Sequence, residues 1–375
     1  MTKILLYSSL LILGLFGSQL LSGIGETWIK LATMFCLSFI MIHVGYEFKI
    51  DNSRPKQYVW DYIVAVTAAT FPWLLCAGYF VWVIGMDSWK DALLVARFSS
   101  PTSAGVLFSM LAAAGLSVTW VFRKARVLAI FDDLDTILLM IPLKIMMVGM
   151  KWQLVLIIFI IVVQLWLAWR YLHAWHLPIK WPWIVLYASL ITGISEALYL
   201  VGKQIDDSVP VHLEVLLPAF LLGCMLKRSI GHDNHIYDAS EGHLEGFEDP
   251  IEQRVSMIVT AMFMVLVGLS MPVITSENGT WGVLIGHVIL ITVLSNIGKM
   301  FPLICYRKEA TVRERLALSI SMFPRGEVGA GVLVISMSYG LIGTAITVAT
   351  LSLALNLLLT GGFIAIVKKL LEKKS

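Results

Sequence analysis

Twelve long runs of apolar residues constrain this chain more than any other feature of its sequence. A helix needs about 20 apolar residues to cross the hydrocarbon core of a bilayer. The runs cover residues 4–21, 28–45, 62–84, 92–116, 127–148, 153–171, 183–201, 211–226, 256–273, 283–304, 316–339 and 342–367. The first run is long for a secretory signal, so we expect it to be retained. The sequence predicts an all-α polytopic membrane protein with about twelve transmembrane helices.

The composition supports the same interpretation. Of 375 residues, 58% are hydrophobic and only 14% are charged, whereas soluble domains carry about 25% charged residues. A soluble enzyme, a nucleic-acid-binding protein and a secreted disulfide scaffold are therefore excluded. The four cysteines lie in separate apolar runs without CxxC spacing, so we expect small buried residues and no metal or cofactor site.

The distribution of Lys and Arg predicts the orientation. Twenty of these residues lie at the two termini or in the loops on the same side, and only four lie in the loops on the other side. Because basic loops stay in the cytoplasm, we expect an inner-membrane protein with both termini cytoplasmic. The cytoplasmic loop 228–253 mixes histidines with many acidic residues. A pH sensor and a solvated acidic linker both fit, and the acidic composition favours the linker.

Two pairs of landmarks indicate an inverted repeat. The pattern M-x-x-V-G occurs at 41–45 and 264–268, and prolines interrupt the fourth and eleventh runs at Pro101 and Pro324. Both pairs are 223 residues apart. The equivalent runs are seven apart, an odd number, so the two copies would have opposite orientations. Inverted repeats with matched broken helices are typical of secondary transporters. We expect one transporter unit with repeats near 1–150 and 210–368.

The fifth run contains three aspartates, Asp132, Asp133 and Asp135. At 100° per residue, Asp132 and Asp135 share a helix face and Asp133 points elsewhere. Adjacent carboxylates with little water have a raised proton affinity, so such a pair holds protons or a desolvated cation but not easily both. That exclusion is the basis of cation/proton exchange. The alternative is a helix-start cluster near the surface, since Arg126 is close, but the rise per residue places the pair inside the run.

Other charged and polar residues lie near these carboxylates in the predicted arrangement. Lys299 in the tenth run is the natural partner for one aspartate, because an unpaired ammonium at that depth is costly. Arg325 and Glu327 flank the second break and would neutralise each other and the half-helix ends. Thr102 and Ser103 at the first break offer oxygen ligands for a hard cation. Arg97, Lys144 and Asp135 receive no role, whereas Glu196 and Glu214 could pair with Arg97 or Lys144 or line a cavity.

At these residues the sequence resembles the bacterial sodium/proton antiporters of the monovalent cation–proton antiporter superfamily. The resemblance depends on Asp132-Asp133, on Gly298-Lys299 and on the hexapeptide Pro-Arg-Gly-Glu-Val-Gly at 324–329. Weaker support comes from residues 39–47, 218–223 and 265–272. The resemblance covers most of the chain and implies the sodium/proton antiporter fold, with two crossing broken helices.

The resemblance also implies residue roles. Asp133 would be the main cation and proton site, and Asp132 would exchange its salt bridge with Lys299 for a proton or cation. Thr102 and Ser103 would lie beside this site. Similar proteins are homodimers that work by an elevator movement, and members with two aspartates are usually electrogenic and serve pH homeostasis.

This sequence departs from the family pattern at Asp135, a third acid, and at Arg97. No soluble regulatory domain and no thirteenth helix are expected. The partners would be a monovalent cation, the proton and the lipid bilayer. The alternatives are K⁺/H⁺ exchange, a sodium-coupled organic-solute symporter of similar fold and a non-transporting membrane sensor. The buried Asp-Asp pair and Lys299 favour exchange.

Overall fold

The computed structural model describes residues 2–20, 26–47, 55–149, 152–172, 174–205, 215–226, 250–271, 281–341 and 343–372, and these residues form helices without any β-strand. The α-helices are α1 Thr2–Leu20, α2 Glu26–Glu47, α3 Pro55–Tyr79, α4 Trp89–Ala96, α5 Ala104–Ala113, α6 Trp120–Val148, α7 Trp152–Arg170, α8 Trp181–Ile205, α9 Leu216–Met225, α10 Pro250–Leu269, α11 Trp281–Gly298, α12 Pro302–Cys305, α13 Val312–Ser321, α14 Glu327–Ser338 and α15 Thr344–Glu372. A π-helical turn, Phe80–Ile84, extends α3, and a 3₁₀ turn, Arg97–Ser99, extends α4.

Each of the twelve apolar runs coincides with one helix or with two consecutive helices in the described part of the chain. Among the described residues, seven helical stretches are long and apolar enough to cross a membrane. Of the other five, the apolar part of α1 (Ile4–Leu20) and α9 are shorter, α6 carries several charges, and the α4–α5 and α13–α14 pairs are broken. The prediction of a polytopic all-helical membrane protein is therefore confirmed.

The chain divides into two compact units that are both discontinuous in sequence. The first unit comprises Met1–Ile24, Ser53–Thr136 and Met264–Ser375. The second comprises Gly25–Asn52 and Ile137–Phe263. The inverted repeat stays a prediction.

In the second unit, α2 packs closely against α9 because both helices carry a glycine at the contact. A Cβ atom on Gly45 would collide with the carbonyl oxygen of Phe220, and one on Gly223 would collide with that of Ile42. Only hydrogen at both positions allows this backbone approach. Elsewhere in this unit, Glu196, which the sequence offered as a possible partner of Arg97 or Lys144, forms an ion pair at 3.3 Å with Lys30.

In the first unit, glycines also allow close helix contacts. Gly14 and Gly268 bring α1 and α10 together: a Cβ atom on Gly14 would collide with the Val265 carbonyl. At the end of α11, a Cβ atom on Gly298 would collide with the backbone of Pro72 in α3. The contact between Gly298 and Pro72 holds the next residue, Lys299, against the interior of the first unit.

A polar cluster in the first unit ties the start of α6 to α3 and to the segment between α12 and α13. The Lys124 ammonium lies 3.1 Å from both Asp61 Oδ1 and Glu309 Oε2, and the Tyr306 hydroxyl donates to Asp61 Oδ1 at 2.8 Å. Burial, together with the negative charge of Asp61, raises the pKa of the Tyr306 hydroxyl. Tyr306 therefore remains a donor throughout the physiological pH range.

Candidate ion-exchange site

Two interrupted helices meet in the first unit. The first interruption separates the turn Arg97–Ser99 from α5, and the second separates α13 from α14. The Ser103 amide donates to the Pro324 carbonyl at 3.0 Å, and the Thr102 hydroxyl donates to the Met322 carbonyl at 3.1 Å. The two breaks therefore cross each other, as the fold prediction required.

The local sequence explains why the helices end and restart here. Proline has no amide hydrogen and disfavours helical geometry in the residue before it, so Pro101 and Pro324 stop the helices. Ser103 then caps the N-terminus of α5 by accepting from the Val106 amide at 3.4 Å. Glycine fits closely at position 326, because a Cβ atom there would lie 2.9 Å from a methyl carbon of Val267 and one of the two side chains would have to shift.

Arg325 lies at the negative ends of both interrupted helices. Its guanidinium donates to the carbonyls of Ser99 at 2.8 Å, Phe323 at 3.3 Å and Ser295 at 2.9 Å, and to Asn296 Oδ1 at 2.8 Å. Carbonyls at a helix C-terminus carry partial negative charge, so a cation is stabilised there. Glu327 begins α14, and its predicted pairing with Arg325 stays a prediction.

Lys299 and Asp132 form an ion pair at the crossing. The Lys299 ammonium lies 2.7 Å from Asp132 Oδ2, and both side chains are fully buried. The Thr102 amide donates to the same oxygen at 2.8 Å. The second oxygen, Oδ1, is buried and accepts no hydrogen bond from the described part of the chain. Asp132 thus has one oxygen held by two donors and one that is available to a proton or cation.

Asp133 is the next residue on α6 and is also buried, with 4% of its surface exposed. It lies close enough to Lys299 to interact electrostatically. The Thr102 and Ser103 hydroxyls, by contrast, are used in the helix crossing and in capping α5. Each hydroxyl oxygen has two lone pairs, and a role as cation ligand stays a prediction for both residues.

The structure also pairs two residues that the sequence left without a role. Arg97 is fully buried and donates from Nη2 to the main-chain carbonyl of Asp135 at 3.1 Å. The same nitrogen lies 3.8 Å from the Asp135 carboxylate. The sequence contained one signal for this pair, namely two charges of opposite sign within apolar runs. Asp135, the negative one, lies on the same face of α6 as Asp132.

Two asparagines were also missed by sequence reasoning. Asn296 receives Arg325, and Asn356 on α15 contacts Asn296 at 3.1 Å. Lys144 lies near the end of α6 without an assigned role. Glu214 and residues 228–249 of the acidic loop lie outside the described residues.

Comparison with known proteins places this arrangement in a family. The family model "Sodium/hydrogen exchanger, transmembrane" matches residues 4–370. The solved structure of the sodium proton antiporter MjNhaP1 from Methanocaldococcus jannaschii is similar, with a TM-score of 0.59 and 17% sequence identity. The similarity covers 97% of this chain and 91% of that chain. No curated protein sequence matches significantly.

The identity to MjNhaP1 is low, so that likeness shows the fold alone. The family match, in contrast, spans nearly the whole chain. It identifies a cation/proton antiporter embedded in the membrane rather than a catalytic enzyme. The chain belongs to the sodium/hydrogen exchanger family, within the monovalent cation:proton antiporter superfamily.

Proposed function

We propose that this antiporter exchanges Na⁺ or Li⁺ for H⁺ across the bacterial inner membrane. The observation that carries the proposal is the fully buried Asp132–Lys299 pair at the helix crossing, with Asp133 beside it. A buried ion pair is costly to form and costly to break, so it is retained where it serves function. A monovalent cation or a proton can replace the charge of Lys299 on Asp132.

The exchange cycle follows from this competition. Protons from outside bind the Asp133 and Asp132 carboxylates, one on each, with the second proton replacing Lys299 on Asp132, and the unit carrying the crossing reorients in an elevator movement. Cytoplasmic Na⁺ then displaces the protons, which leave to the cytoplasm, and the loaded site returns. While Na⁺ occupies the carboxylates, the Lys299 ammonium leaves Asp132; on Na⁺ release the salt bridge forms again. More than one proton per Na⁺ makes the cycle electrogenic.

The first experiment uses proteoliposomes that hold a preformed pH gradient and a pH-sensitive dye. Na⁺, Li⁺ and K⁺ are added in turn to the wild type and to Asp133→Asn. We expect Na⁺ and Li⁺ to dissipate the gradient in the wild type and to have no effect in the variant. Asp87→Asn, at an exposed aspartate outside the crossing, is the control and should behave as the wild type.

Each alternative gives a different result in proteoliposomes, and a membrane sensor that does not transport would respond to none of the three cations. Dissipation by K⁺ alone would identify a K⁺/H⁺ antiporter. Uptake of an organic anion with Na⁺, independent of the pH gradient, would identify a symporter. Na⁺-dependent dissipation that survives in Asp133→Asn would contradict the role given to Asp133. Electrogenic exchange also requires that an imposed membrane potential change the initial rate.

The assembly is proposed from the family resemblance. We infer a homodimer, because similar antiporters move one domain against a dimerisation domain that stays in place. Light scattering of the detergent-purified protein tests this directly. A mass of one chain under conditions that preserve transport would contradict it.

A further inference from the structure

Arg97 and Asp135 form a second buried ion pair beside the Asp132–Lys299 pair. Arg97 has no exposed surface and Asp135 is 3% exposed. The two charged groups lie 3.8 Å apart, between Arg97 Nη2 and Asp135 Oδ2. Asp135 is one helical turn after Asp132 on the same face of α6, and side chains at this spacing are neighbours. The second pair is therefore adjacent to the exchange carboxylates.

The guanidinium of Arg97 is held mainly by groups other than the Asp135 carboxylate. Nη1 donates to Ser100 Oγ at 3.0 Å, and that hydroxyl donates to the Ala69 carbonyl at 2.9 Å. Nη2 donates to the main-chain carbonyl of Asp135 at 3.1 Å. The ring of Trp73 lies 4.8 Å from the guanidinium carbon. The position of this cation therefore does not depend on the charge of Asp135.

The Asp135 carboxylate has a different environment. Its Oδ2 is buried and receives no hydrogen bond from the described residues. The charged and titratable groups around it are Arg97, Asp132, Lys299 and, on α3, Tyr62. Asp135 thus acts on its surroundings by its charge, and Arg97 is the cation that offsets this charge.

We propose that Arg97 and Asp135 are positioning residues: a fixed ion pair whose charge balance sets the cation affinity of the neighbouring Asp132 and Asp133. This inference deepens the proposed function and depends on it. The buried charges of this region include the three aspartates of α6 and the cations Arg97, Lys299 and Arg325. Removing either Arg97 or Asp135 changes the electrostatic potential at Asp132 and Asp133. The sign of the charge that remains sets the direction of this change.

The two single substitutions are therefore expected to act in opposite directions. Asp135→Asn leaves the Arg97 charge uncompensated, which repels the incoming cation and raises the KM for Na⁺. Arg97→Gln leaves the Asp135 charge uncompensated, which lowers the KM and slows cation release. With an effective dielectric of about 20 and a separation of about 8 Å, we expect each change to be about thirtyfold. The double variant buries no net charge at this position and should restore the KM.

The test measures KM and kcat for Na⁺ in proteoliposomes at alkaline pH, where protons compete least. Opposite shifts in the single variants, with a double variant within about threefold of the wild type, would support the proposal. Shifts in the same direction, or an unchanged KM in both, would overturn it. A purely structural role predicts a lower kcat in all three variants and no change of sign.

Asp135→Asn is nearly isosteric and keeps the hydrogen bonds of Arg97, so it is the variant most compatible with folding. If a single variant does not fold, the double variant is compared with Arg97→Lys/Asp135→Asn, which retains one buried positive charge. A KM about thirtyfold higher in the variant that keeps the buried lysine than in the neutral double variant supports the proposal, and equal values overturn it.

Asp133→Asn is measured in parallel, so that a failure of the proposed antiport function can be distinguished from a failure of the proposal for Arg97 and Asp135. A wild type that does not respond to any monovalent cation would overturn the proposed function and this inference with it. A wild type that exchanges Na⁺, with a silent Asp133→Asn variant and no opposing shifts at Arg97 and Asp135, would overturn only the inference.

Discussion

At the scale of single residues, Lys299 and Asp132 are both fully buried and are joined by a short contact of 2.7 Å. Removing one partner of a buried pair leaves an uncompensated charge, whereas replacing both partners removes the desolvation cost as well. The stability of single and double variants therefore reports whether the two residues are charged together in the membrane.

We expect Lys299→Gln to destabilise the purified protein by about 3–5 kcal/mol, because the Asp132 carboxylate loses its cation and, among the described donors, keeps the Thr102 amide. The measurement is thermal unfolding in detergent, with a melting temperature lowered by roughly 5–10 °C. Asp132→Asn/Lys299→Gln should recover most of this loss. A single variant that melts like the wild type would show that the pair is not charged in the folded state.

At the scale of helices, backbone contact between α2 and α9 depends on Gly45 and Gly223. A methyl group on Gly45 would collide with the Phe220 carbonyl, which belongs to the backbone and cannot be relieved by a rotamer change. The two helices would have to move apart along the whole contact.

Gly45→Ala should therefore lower stability by about 2 kcal/mol or more, although alanine favours a helix by about 1 kcal/mol. Thermal unfolding of the purified variant measures this. Gly193→Ala in α8 is the matched control, since a Cβ atom there meets open space, and we expect it to be neutral or slightly stabilising. Equal effects of the two substitutions would mean that α2 and α9 do not pack in this way.

At the scale of the whole molecule, the distribution of basic residues predicts which loops face the cytoplasm. Asp87, between the π-helical turn Phe80–Ile84 and α4, should face outward, and Lys308, between α12 and α13, should face the cytoplasm. Both residues are exposed, whereas Cys36, Cys76 and Cys224 are buried and Cys305 is half-buried.

A membrane-impermeant maleimide should label Asp87→Cys on intact cells and label Lys308→Cys only after permeabilisation. The wild type, carrying only the native cysteines, measures background labelling. Labelling of Lys308→Cys on intact cells, with a protected Asp87→Cys, would reverse the proposed orientation. The same result would place the termini outside the cytoplasm.

Local features of the sequence determined where helices form and where they break. Long apolar runs are sufficient to predict membrane helices, because the bilayer accepts only hydrogen-bonded backbone. Pro101 and Pro324 mark the two breaks for an equally local reason, since proline lacks the amide that a helix interior needs. The pairing of Lys299 with an aspartate was also predictable, because an unpaired ammonium in the membrane is too costly.

The tertiary structure decided which partners meet. It joined Lys299 to Asp132, the partner that the family resemblance implied, added the Thr102 amide as a second donor, and used the Thr102 hydroxyl in the crossing and the Ser103 hydroxyl to cap α5. Composition and spacing contain no information on such contacts, because Asp132 and Lys299 are 167 residues apart in the chain. Arg97 and Asp135 were visible in the sequence as unexplained charges, and only packing made them a pair. The sequence alone determined the helices and the need to compensate buried charge, whereas three-dimensional packing determined how that compensation is achieved.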